Sequence, residues 1–109
     1  MNWLWQPVNS DSGKACYKEI WRCMHRTAAW CNRMGIPQFF APWLRDQIEG
    51  LPCADCRGHA REHLAQNPPE RAIDPSLYMW QFHSAVNQRL GKPNMDWETY
   101  YVTYVSPRS

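Results

Sequence analysis

Cys53-Ala54-Asp55-Cys56 sets two thiols three residues apart, a spacing that can close a disulfide or clamp a metal ion. If the pair opens a helix, the partial positive charge of the helix N-terminus lowers a thiol pKa there. That makes a better nucleophile and a better leaving group, as redox cysteines need. His59 and His63 follow, giving Cys-x2-Cys-x2-His-x3-His, so zinc is open as well. A zinc site wants ligands converging tetrahedrally from separate elements. On one continuous helix these four spread over about 15 Å of axis, so one or two could bind a metal and all four could not without unwinding it. A small zinc-binding structural or interaction module using Cys53, Cys56 and His59 therefore stands as the alternative to a redox enzyme.

A second constellation lies downstream. Trp80, His83 and Asn87 follow at three- and four-residue steps and share one helical face, and Lys92 comes just past that helix's end. An aromatic, an imidazole and an amide followed by a cation suit a planar heterocycle with a phosphate tail. The same residues also suit a hydrogen-bonded core histidine, a loop-binding amide and a lysine that neutralises a helix C-terminus. The first third of the chain offers a matching pair, Trp21 and His25, with Trp30 a further turn on. These clusters would converge if their helices close into a bundle.

The elements that must position them read as helical throughout, with Pro and Gly between periodic segments. A first helix is expected over about 14–33, with Ile20, Met24, Thr27, Ala28 and Cys31 on one face and Gly35-Ile36-Pro37 as its stop. A second starts near Pro42 and carries Trp43, Leu44, Gln47, Ile48 and Leu51. A third runs from Cys53 to about Gln66, ended by Asn67-Pro68-Pro69. Asp74-Pro75 reads as the cap and first residue of a fourth helix, which extends to Leu90 with Gly91 as its C-terminal stop. Asp96 could cap a short fifth helix holding Trp97, Tyr100, Tyr101 and Tyr104. The expected fold is all-α, a four-helix bundle with a short appended helix. A thioredoxin-like arrangement would need strands around the Cys-x-x-Cys, and the sequence offers none. An all-helical redox domain must take its oxidising power from elsewhere, and a bound flavin would supply it.

The 109 residues allow one domain over 1–109, with a core of about 14–105. A chain of this size buries only about two-thirds of its unfolded surface, so a large ligand must double as core. Seven Trp suit either core packing or stacking on a planar ring. A net charge of +2 without a basic stripe argues against nucleic acid. Trp3, Leu4 and Trp5 are followed by no long apolar segment, so neither a signal peptide nor a membrane span is expected, and the expected compartment is cytoplasmic. The five cysteines are not the dense framework of a secreted scaffold. Cys23 and Cys31 are expected as buried thiols, and Cys16 as the candidate for a shuttle or an intersubunit bridge.

Three runs together resemble the Erv/ALR sulfhydryl oxidases: Trp21-x-x-x-His25-x-x-Ala28, Pro52-Cys53-x-x-Cys56-x-x-His59, and His83-x-x-x-Asn87-x-x-Leu90-Gly91-Lys92-Pro93. Order and intervals match, over about residues 17 to 104. The resemblance implies a helical bundle holding FAD at its mouth, a homodimer packed through the first helices, and oxidation of dithiols in protein substrates to disulfides. Electrons would pass through the flavin to molecular oxygen and give hydrogen peroxide. Carried over, Cys56 is the flavin-proximal thiol, attacking or charge-transferring to the isoalloxazine, and Cys53 the outer, exchange-accepting sulfur. Trp21, His25, His59, His83, Asn87, Leu90, Lys92 and Tyr104 match cofactor-contacting positions. Some positions depart from the pattern. Ser84 stands where the family usually has Asn, and Tyr17 where a glycine is common. Ala65 and Trp80 occupy the places of an additional disulfide. Without an N-terminal shuttle extension, the chain is most similar to the short versions of large DNA viruses, which would suit work in a host cytoplasm or virion. A mitochondrial intermembrane location is the alternative.

Overall fold

The computed structural model describes the backbone of residues 10–105 and the side chains of residues 17–105. Trp3, Leu4 and Trp5, and the Cys16 side chain with its expected shuttle or bridge, lie outside the described residues. Among the described residues five α-helices follow one another: α1 (Ser10–Arg33), α2 (Phe40–Glu49), α3 (Ala54–Gln66), α4 (Pro75–Leu90) and α5 (Trp97–Tyr100). The last runs on into a π-helical turn, Tyr101–Val105. No strand occurs among the described residues. The expected all-α fold, four main helices and a short fifth, is the one observed.

Each boundary has a local cause. Gly35 takes φ 69°, the left-handed conformation that ends α1 at small steric cost. The second helix begins two residues earlier than expected, and Pro42 falls inside its first turn, where the missing N–H costs little. Asp74 caps α4, accepting from Ser76 N–H at 2.9 Å and Leu77 N–H at 3.1 Å. At the other end Gly91 takes φ 72°. There Lys92 N–H bonds Asn87 C=O at 2.8 Å and Gly91 N–H bonds Gln88 C=O at 3.2 Å, a Schellman closure that fixes where Lys92 leaves the helix. Asp96 caps α5 through Thr99 N–H at 2.7 Å.

The main packing is between α1 and α4. Met24, Ala28 and Cys31 of α1 meet Tyr78, Met79 and Phe82 of α4, and Phe40, Leu44 and Ile48 of α2 with Ala60 and Leu64 of α3 close the core. A polar clamp sets the register. Asn32 Nδ2 donates to Asp74 Oδ1 at 2.7 Å and to Ser76 Oγ at 3.0 Å, joining the end of α1 to the start of α4. The two helices therefore run antiparallel with Asn32 level with Ser76. Two helical turns back along α1 is His25, and two turns on along α4 is His83. One clamp at the bundle's end thus brings the two imidazoles together.

Candidate functional site

Cys53 is the N-cap of α3, with an extended backbone, and its sulfur accepts from Cys56 N–H at 3.3 Å. The segment before it is held by Arg57, which donates to Leu51 C=O, and by Tyr17 of α1, whose hydroxyl accepts from Cys53 N–H at 3.1 Å. Both cysteines are half-buried free thiols. Their acidities diverge. The Cys53 thiol is pulled down, first by a hydrogen bond from the Cys56 side chain and then by the Cys56 N–H. The Cys56 thiol is pushed up, first by burial and then by its hydrogen bond with Cys53. A depressed thiol pKa was expected of the pair. It holds for the capping cysteine only, because Cys56 has turned its sulfur inward, where burial outweighs the helix dipole.

Inward is a cavity of about 960 Å³ between α1, α3 and α4. Cys56 lines it and Cys53 does not. Trp21, His59, His83, Asn87, Leu90, Lys92 and Tyr104 border it too, so eight of the nine expected cofactor positions reach one space. Its walls are mostly apolar, through Ile20, Met24, Ile48, Phe82 and Val86, while Lys18, Arg22, Arg89 and Lys92 stand around it as cations. The Trp21 and His83 rings stack at 3.9 Å and 3°. An apolar chamber with a flat aromatic pair and a cationic border can take a planar ring system that carries phosphates.

His25 is the ninth position, and it lies behind this wall, 1% exposed. It borders a smaller cavity of about 190 Å³ that shares His83, Asn87 and Tyr104 with the large one and also meets Trp80 and Ser84. His25 Nε2 is 2.8 Å from His83 Nδ1, and His25 Nδ1 is 2.8 Å from the Tyr100 hydroxyl. Burial lowers His25 to about 3, assisted by the His83 charge, and lowers His83 to about 4, assisted by Lys92. Two neutral imidazoles hold one ring proton each. The Tyr100 hydroxyl is buried, with no other partner among the described residues, so donation to His25 Nδ1 satisfies it. His25 then donates from Nε2 to His83 Nδ1, and His83 carries its own proton on Nε2.

Other expectations change. Trp30 does not join the cluster. It is 47% exposed, because five residues from His25 carry it about 140° around the helix. Cys31 is buried as expected, and its thiol is pushed up by burial, whereas Cys23 is only half-buried. No group of three or more His, Cys, Asp or Glu among the described residues could hold a metal ion, which leaves the zinc alternative without a ligand set. The sequence reading missed Tyr100 as the partner of His25. It had Tyr17 only as an irregularity, although Tyr17 stands one turn before Trp21 on the same face. Arg22 and Arg89 were not singled out; they stand one residue past Trp21 and two past Asn87, offsets that helical spacing does not pick out.

The Erv1/Alr family profile matches residues 18–105. Two proteins of African swine fever virus, from the Malawi tick and Kenya pig isolates, are named FAD-linked sulfhydryl oxidase. Each is 32% identical to this chain over 95 residues, covering 79% of it and 76% of the relative. A protein of invertebrate iridescent virus 3 that carries the same name provisionally is 29% identical over 95 residues, covering 81% of this chain and 64% of its own length.

Proposed function

The chain belongs to the Erv1/Alr family, and we infer that it works as the viral relatives are named, as an FAD-linked sulfhydryl oxidase. It is an FAD-dependent enzyme that forms disulfide bonds in thiol-containing protein substrates. The observation that carries the assignment of its parts is the split orientation of one cysteine pair: Cys56 lines the cavity and Cys53 does not.

The cavity fits the cofactor in chemistry and in size. Trp21 and His83 offer parallel flat faces, Phe82 and Val86 apolar walls, Asn87 an amide, and Lys92 with Arg89 positive charge for a pyrophosphate. These residues, with His59, Leu90, Tyr104 and, through His83, His25, would hold it. When bound, the flavin supplies a two-electron acceptor for a dithiol and a route to the terminal oxidant.

The protein's own part is thiol–disulfide exchange. A substrate thiolate attacks Cys53 Sγ, whose position at the helix cap leaves it outside the cavity. A second substrate thiol resolves the mixed disulfide, releasing oxidised substrate and the reduced pair. Cys56 holds its sulfur against the cavity, half-buried beside the core. Molecular oxygen as terminal acceptor, a homodimer packed through α1 and a cytoplasmic place of work complete the proposal. Their support is the resemblance in the three sequence runs. No helix among the described residues is long and apolar enough to cross a membrane.

The test is a pair of substitutions. Cys53→Ser and Cys56→Ser should each abolish oxygen consumption with dithiothreitol while the purified proteins stay yellow with bound FAD. Full oxygen consumption by Cys53→Ser would sink the assignment of the pair.

A further inference from the structure

Tyr17 has no place in the exchange as written so far. It is half-buried on α1, one turn before Trp21. Its ring packs against the same core cluster as Cys56, and both side chains line the large cavity. The hydroxyl accepts from Cys53 N–H at 3.1 Å. A phenol that accepts through its oxygen keeps its own proton to donate, and the Cys56 side chain shares this hydroxyl's wall of the cavity. The hydroxyl is thus bonded to the backbone of the outer cysteine and held on the wall that carries the inner one, whose pKa it draws down.

We propose that Tyr17 is a catalytic hydrogen-bond donor that stabilises the Cys56 sulfur as it leaves from the Cys53–Cys56 disulfide. In that step the substrate sulfur bonds to Cys53 Sγ, the Cys53–Cys56 bond breaks, and its electron pair stays on Cys56 Sγ as a thiolate. No proton need transfer. Exchange is faster when the leaving thiol is more acidic, and Cys56 is badly placed in this respect, since burial pushes its pKa up. The Tyr17 hydroxyl and the Arg89 charge act in the opposite direction. The donor works as an oxyanion hole works, preorganised where negative charge develops and costing no rearrangement then.

The proposal rests on the oxidase reading for the attacking substrate, but the Tyr17 contact with a Cys56 thiolate can be measured without turnover. Other charged or titratable groups face that sulfur. Cys53 lies in its own segment and Arg89 on α4. Lys18 and Arg22 of α1, Asp55 and His59 of α3, and His83 and Lys92 beyond them share the cavity. Within each pair of proteins compared below these groups are the same, so the difference between the two members reports on the one hydroxyl.

Tyr17→Phe keeps the ring and removes only that hydroxyl. In the full, FAD-loaded chain carrying Cys53→Ser, the rate of Cys56 alkylation by iodoacetamide is followed against pH by mass spectrometry of the Cys56 peptide. Adding Tyr17→Phe should move the midpoint up by about one pH unit, because a hydrogen bond to a charged acceptor is lost. In the otherwise wild-type chain, Tyr17→Phe should lower kcat/KM for dithiothreitol by about tenfold. A folded, FAD-loaded Tyr17→Phe protein whose alkylation profile and kcat/KM both match its parent overturns the proposal. A wild-type chain that binds FAD but consumes no oxygen with dithiothreitol defeats the oxidase reading alone, and the alkylation profiles still decide whether Tyr17 serves Cys56.

Discussion

Lowering the pH from 7 to 5 should destabilise the protein through the two imidazoles behind the cavity wall. His25 is 1% exposed, and its pKa falls from the ordinary 6.5 to about 3, by burial first and then by the neighbouring His83 charge. His83 falls to about 4, by burial and then by Lys92. The folded values lie below the unfolded one. Between them the unfolded chain binds more protons, so stability is full above about pH 6.5 and is lost as pH falls. For one imidazole titrating at 6.5 unfolded and about 3 folded, the loss between pH 7 and pH 5 is about 2 kcal/mol. The pair together approaches about 4 kcal/mol, a large share of the roughly 5–15 kcal/mol that holds a domain folded. His63, also lowered by burial, adds in the same direction. Glu70, held down to about 2 by hydrogen bonds from Arg45, loses its contribution chiefly below its ordinary 4.5, so the window belongs to histidine. Urea unfolding at several pH values, with FAD at one saturating concentration throughout, gives the slope. His25→Gln removes one term, and its stability difference between pH 7 and pH 5 should be about 2 kcal/mol smaller than that of the wild type. Equal slopes in the two proteins would mean that His25 is not kept neutral by the fold, and the relay from Tyr100 to His83 would fall with it.

Asp74→Ala removes the cap of α4 and the acceptor for Asn32, and should cost about 2 kcal/mol in urea unfolding. Because the same clamp sets the register of His25 against His83, FAD affinity by fluorescence titration should fall as well. Tyr100→Phe leaves His25 Nδ1 buried without its partner and should cost about 1–3 kcal/mol by the same urea measurement.

What the sequence made legible was mostly punctuation. Asp74-Pro75, Gly91 and Asp96 each act within four residues of themselves, and the helix ends lie where those residues put them. The cavity positions were legible for a related reason: Trp21 on α1, and His83 and Asn87 on α4, recur at helical spacing, so each face could be read before its partner was known. Contacts across the chain were not legible. Tyr100 reaches His25 over 75 residues, and nothing local to either marks the pairing. Trp30 failed for the opposite reason, since its residue type suited the cluster and only its angle on the helix excluded it. The unequal thiols were hidden for a third reason. A helix dipole is a local property and lowers both thiol pKa values, whereas burial of Cys56 depends on where α3 lands against α1 and α4.

That inequality gives the cysteine pair its direction. Two thiols on one helical turn start out chemically equivalent. Three residues along the chain separate them: Cys53 is the last residue before the helix, with its sulfur turned back over the first turn, and Cys56 is inside the turn, with its sulfur turned to the core. The outer thiol is the more acidic, so it is the better nucleophile at neutral pH when the reduced pair re-forms its bond, while the inner one sits beside the cofactor space. The arrangement penalises exchange in the other sense, because attack at Cys53 must expel the less acidic sulfur into a half-buried site. Without the Tyr17 phenol that barrier would be higher. With Tyr17 in place, the burial that keeps Cys56 against the cavity need not slow its departure from the disulfide.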